Sequence, residues 1–155
     1  MSRRFVRLSL PALVALAVLF SATAAQRNSA PEARIPGLID VSPAARSEVI
    51  TAPASVKVGE EFLVTVFTSG GGCERAGEAS VVLGENEANV MVYDMTVATR
   101  PNVACTMIYK RMPHPATLKF TKPGEAVIRV WGRRVGAETP HFGVPAVVDL
   151  KITVR

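Results

Sequence analysis

Residues 69–77 read SGGGCERAG and gather three kinds of chemistry in nine positions. Gly72 and Gly77 have the G-x-x-x-x-G spacing of a phosphate-cradling loop. That chemistry next demands Lys and Ser/Thr, which reach phosphate and magnesium. Here Glu78 and Ala79 follow, and no helical pattern comes after them to lend a positive N-terminus. Phosphate binding is therefore excluded. Cys73 suggests redox work, but nothing local argues for a depressed thiol pKa. What remains is geometry: Gly70, Gly71 and Gly72 allow positive φ, so the chain can turn sharply and bring Cys73 to a partner.

Other chemistry-bearing residues are sparse. The chain has no G-x-S-x-G, and its two histidines, His114 and His141, both adjoin proline in loop-like text. Glu60/Glu61 and Glu85/Glu87 fall in turns, where solvated acids are the plain account. No catalytic constellation emerges, so the chain is not expected to be an enzyme, and no cofactor is expected. Methionines 91, 95, 107 and 112 raise the question of copper. Met91 and Met95 are ~13 Å apart along one strand and cannot readily share an ion. Met112 and His114 are two apart and can. A copper carrier using Met112 and His114 is thus the alternative reading. A blue-copper centre is disfavoured, because its cysteine must be free. In VIRVWGRRV, alternation places Arg129, Trp131 and Arg133 on the face opposite Ile128 and Val130. An outward-facing indole between guanidiniums would hold an acidic peptide, a sugar or a protein. Cover by a neighbouring strand, with the arginines stacked on the ring, is the plainer account.

The elements that position these residues follow from the rest of the chain. It has 155 residues, enough for about one domain. Residues 1–25 carry three arginines, an apolar run over 8–20 and small residues at 22–24. They are expected to form a secretory signal cleaved after Ala24 or Ala25, too short to span a ~30 Å bilayer. No cysteine follows the cleavage point to carry a lipid, and no membrane span is expected after cleavage. The general secretion route fits better than the twin-arginine one. Loss of the three arginines lowers the net charge from +5 to +2. That near balance gives no support for nucleic-acid binding. The expected location is the periplasm or the exterior. In an oxidising compartment Cys73 and Cys105, the only cysteines, are expected to form a disulfide. Residues 26–45, with three prolines and no periodicity, read as a flexible lead segment.

From residue 46 to 155 short β runs alternate with turns. SEVITA, ASVKV, EFLVTVFTS, ASVVL, NVMVYDM, CTMIYKRM, ATLKF, EAVIRVWGRRV and AVVDLKITVR are the predicted runs. PHP at 113–115 is expected to break a strand. In the last run Val148, Leu150, Ile152 and Val154 share one face; Ala126, Ile128 and Val130 do so in the run before. This is period two, with one face buried. No amphipathic helical run is present. Seven to eight short strands predict an all-β antiparallel sandwich.

The frame VGEEFLVTV, GGGC, VYDM, a second Cys and FTKPGEAVIRVWGRR resembles uncharacterised exported bacterial proteins with an immunoglobulin-like β-sandwich domain. Phe120-x-x-Pro123-Gly124-x-Ala126 is similar to the corner before the penultimate strand of such modules. The likeness spans residues 55–134. It implies a fold rather than an activity, since such modules host many roles. The cysteines depart from the usual inter-sheet bridge: Cys73 falls in a corner and Cys105 opens a middle strand. The expected function is a non-catalytic envelope module that binds a protein or glycan.

Overall fold

The computed structural model describes residues 32–41, 46–97, 104–134 and 143–155. The expected signal peptide and His141 lie outside the described residues. Among the described residues no helix is long and apolar enough to cross a membrane.

The architecture is nearly all β. In chain order the elements are β1 (Glu32–Pro36), a single helical turn α1 (Arg46–Val49), β2 (Ile50–Thr51), β3 (Ser55–Val56), β4 (Glu61–Gly70), β5 (Glu74–Leu83), β6 (Glu87–Val97), β7 (Lys110–Lys119), β8 (Gly124–Arg134) and β9 (Val144–Val154). They form a three-stranded sheet, β2-β4-β7, and a six-stranded sheet, β1-β6-β8-β9-β3 with β5 on β6. Most pairs are antiparallel, but β6 pairs β8 in parallel, as β3 does β9. β5 flanks β6 along most of its length. The other edge of β6 is shared end to end: β8 lies along residues 87–91 and β1 along residues 93–97.

Alternation builds the core. Phe62, Val64 and Val66 of β4 face Ala88, Val90 and Val92 of β6 and Ala126, Ile128 and Val130 of β8 in one buried cluster. Phe62 and Phe120 pack with ring centroids 5.8 Å apart. Val148, Ile152 and Val154 join that cluster, with Leu150 partly buried against it, as their spacing requires. Gly124 has φ 126°, so the Pro123-Gly124 corner needs glycine for its backbone conformation.

The structure corrects four sequence expectations. The lead segment is not wholly a tether, because β1 lies within it. Its side chains are mostly exposed, so it lacks an apolar pattern, and backbone hydrogen bonds to the vacant edge of β6 hold it. SEVITA divides into α1 and β2. The strand expected from Cys105 begins only at Lys110, so Cys105 opens no strand. PHP does not break it, since Pro113 and Pro115 keep register with Phe67 and Thr65. β7 ends its sheet, and an edge strand has one side without a ladder, where proline costs no bond.

Residues 37–39 strap the two sheets together. Gly37 N donates to Val92 O (2.9 Å), Arg133 N to Gly37 O (2.8 Å) and Ser69 N to Leu38 O (2.8 Å). A Cβ on Gly37 would overlap Thr68 Cγ2 and lie 3.2 Å from Asp94 Oδ2. Gly37→Ala should therefore cost about 1–3 kcal/mol by overpacking. Urea denaturation followed by circular dichroism checks this, and an unchanged midpoint would show that the strap yields freely.

Candidate binding face and a buried polar triad

The outward faces of β6, β8 and β9 carry an apolar row. Met91, Trp131 and Val147 stand side by side in register, 38%, 36% and 40% exposed. Beside them runs a groove of about 360 Å³ lined by Pro36, Trp131, Gly132, Val144 and Pro145. The indole N–H of Trp131 donates to Asn89 Oδ1 at 2.9 Å. Trp131 is thus neither free on all sides nor covered by a strand.

The two arginines do not clasp the indole. Arg129 reaches Glu87 at 2.9 Å and Asp149 at 3.1 Å. Its hydrogen bond to Asp149, that residue's charge and then the charge of Glu87 hold the guanidinium above its usual pKa. Arg133 turns away: its Nε donates to Pro36 O at 2.8 Å, and Glu74 lies 3.5 Å from its terminal nitrogen. The cation–π contacts are elsewhere, Arg34 on Tyr93 and Arg111 on Phe67. Alternation put the three residues on one face, but the carboxylates and the β1 carbonyl decided where the guanidiniums point. An acidic peptide would meet arginines that already have partners.

The glycine corner is structural. Gly71 N donates to Glu74 Oε2 at 2.8 Å, and Gly72 N to Thr106 O at 3.1 Å. None of Gly70, Gly71 or Gly72 has positive φ, contrary to expectation. Close approach is the value of Gly70 and Gly72, since a Cβ on Gly70 would press on Met112 and one on Gly72 would overlap the Thr106 hydroxyl, whereas one on Gly71 would meet open space. Cys73 and Cys105 are bonded, with Cα atoms 5.1 Å apart. Cys73 lies just ahead of β5, and Cys105 lies ahead of β7, so the bridge ties two strand approaches together.

Inside, three polar side chains meet where the pattern called for apolar ones. Thr68 of β4 donates its hydroxyl to Asp94 Oδ1 of β6 at 2.9 Å. His114 Nε2 of β7 lies 2.9 Å from that hydroxyl and 3.1 Å from the same carboxylate oxygen. All three are essentially inaccessible. Two lone pairs would repel at 3.1 Å, so Nε2 carries a hydrogen toward Asp94. Asp94 Oδ2 and His114 Nδ1 are buried without a hydrogen-bond partner. This is not a hydrolase relay. There the carboxylate takes one ring nitrogen and the nucleophile the other; here both crowd Nε2, away from any substrate.

Met112 and His114 do not sit in a loop. Both point inward from β7, nearly fully buried. Among the described residues no group of three or more His, Cys, Asp or Glu side chains gathers to hold a metal. The triad went unrecognised because Asp94 and Thr68 are far apart in sequence. A signal was present: inward positions 88, 90 and 92 run on to 94, and 62, 64 and 66 run on to 68. The chain matches no family model, no curated protein and no solved structure.

Proposed function

We propose that the chain is an exported, non-catalytic immunoglobulin-like module of the cell envelope that binds a protein or glycan through the Trp131 face. The observation that carries this reading is the exposed row of Met91, Trp131 and Val147 beside the groove. Large apolar side chains aligned on an outer sheet face keep apolar surface in water unless something covers them, and such a patch marks an interaction site. The sandwich assignment is supported by two sheets around one core and by a chain that changes sheet after each of the first four strands and again after β6 and β7. The parallel β6–β8 pair departs from the immunoglobulin pattern. Export is supported by the basic and apolar N-terminus and by the disulfide.

Charge favours a neutral glycan over an acidic partner. Arg129 is offset by Glu87 and Asp149, Arg133 by Glu74 and Arg34 by Glu78. A sugar ring would stack on the indole, and its hydroxyls would meet Asn89, Arg129 and Asp149.

Trp131 is the sole tryptophan, so its emission reports on this face alone. Neutral oligosaccharides, tried as a panel, should shift that emission. Trp131→Ala should cost only about 1–2 kcal/mol of stability, because part of the ring already meets water, and should abolish retention on the responding sugar. A photoreactive group at position 131 that cross-links a protein, with no response to any sugar, would assign the face to a protein partner. Silence in both assays would remove the binding-face reading.

A further inference from the structure

We infer that His114 Nδ1 and Met112 Sδ form a binding site for one Cu(I) ion, with Asp94 and Thr68 positioning the imidazole. The site is separate from the Trp131 face and does not depend on it. The argument begins with the ring. Nε2–H is committed to Asp94 Oδ1 and the Thr68 hydroxyl, so Nδ1 is the ring atom left to meet a ligand. That atom is buried and has no partner. Histidines that bind metals characteristically donate their other ring N–H to a carboxylate, which sets the tautomer and orients the ring. Here the carboxylate stands on Nε2, and Nδ1 is the ring nitrogen without a partner.

The second donor comes from strand geometry. Met112 and His114 share the inward face of β7, so their backbones are ~6.6 Å apart. Two side chains at that spacing can converge on one ion. Thioether and imidazole together select a soft cation, and Cu(I) is the physiological one that accepts so few ligands. Zinc or calcium would need a fuller set of nitrogen, thiolate or oxygen donors, and none gathers among the described residues.

Met112 also lies close beneath a surface groove. A Cβ on Gly70 would lie 2.6 Å from Met112 Cε, so the thioether ends directly beneath that glycine. Above it, Gly70, Gly71, Glu74, Met107 and Tyr109 line a groove of about 340 Å³ at the disulfide end of the molecule. Met107 there is fully exposed. A side chain at position 70 would press on Met112 and on Glu74.

The test is competition for Cu(I) between the signal-free protein and bicinchoninate, under ascorbate and without oxygen. The wild type should withdraw one equivalent, and X-ray absorption of the loaded protein should show nitrogen and sulfur ligands. Met112→Leu conserves volume and the triad, so it should fold normally. It should weaken withdrawal by about 10-fold or more. Met107→Leu should still reach full occupancy. The proposal falls if the wild type leaves Cu(I) with the chelator, if Met112→Leu competes equally well, or if only Met107→Leu abolishes binding. Circular dichroism of each variant separates lost binding from lost fold.

Discussion

Asp94→Ala should lower the unfolding free energy by about 3–5 kcal/mol, because it leaves two buried donors without an acceptor, at about 1–3 kcal/mol each, and opens a void. Asp94 sits on β6 under the strap of residues 37–39 and is fully buried. Its carboxylate receives the Thr68 hydroxyl and faces His114 Nε2. Truncation leaves both groups in a dry interior, and it opens a void beside Gly37 as well. Domains of this size hold only ~5–15 kcal/mol in total, so the variant should be near its folding limit. Urea denaturation followed by circular dichroism measures the change. The triple variant Thr68→Val, Asp94→Leu, His114→Leu should recover most of the loss, since replacing every partner leaves nothing unsatisfied. A loss below ~1 kcal/mol for Asp94→Ala would mean that water reaches the cluster.

Removal of the disulfide ranks next. Cys73 and Cys105 are separated by 32 residues. The chain-entropy relation for a loop of that length gives ~3–4 kcal/mol, acting mainly on the unfolded chain. Cys73→Ala combined with Cys105→Ala should lose that amount and fold to the same β spectrum. The Gly72–Thr106 contact lies beside the bridge, so residues 104–109 should gain amide exchange in the double variant while β8 and β9 keep their protection. Two alkylatable thiols in freshly isolated native protein would show that the bond does not form, and an unchanged stability would show that it constrains nothing.

Much of the β content was legible because a strand buried on one face must alternate. Ala126, Ile128 and Val130 lie inside as their spacing required, and so do Val148, Ile152 and Val154. The short β1, whose side chains are mostly exposed, escaped notice for the converse reason. Its hold is backbone pairing with β6, which leaves no mark on side-chain identity. The prolines around His114 misled in a third way. Proline is a breaker in a central strand and tolerated at an edge, and edge status depends on where the other strands lie.

The candidate sites divide along the same line. The presence of Trp131 and Arg129 on one face, and the pairing of the two cysteines, follow from period two and from counting. Whether an arginine is free does not. Arg133 is taken by a carbonyl of β1 and by Glu74, residues distant in sequence that only the folded chain brings near.

By itself, then, the sequence determined the β class, the inward and outward faces of the longer strands and the cysteine pairing. Each depends on local alternation or on composition, and both can be read one residue at a time. Only the tertiary structure decided that β6 and β8 run parallel, that Glu32–Pro36 completes a sheet, and that Thr68, Asp94 and His114 meet. Those facts turn on which strands become neighbours. Strand pairing is set by loop paths and by the packing of two sheets over one core, and side-chain alternation is indifferent to it. The same polar residues at the same positions would be three unrelated defects in another topology. In this one they stand within 3.1 Å of one another and leave Asp94 Oδ2 and His114 Nδ1 buried without a partner.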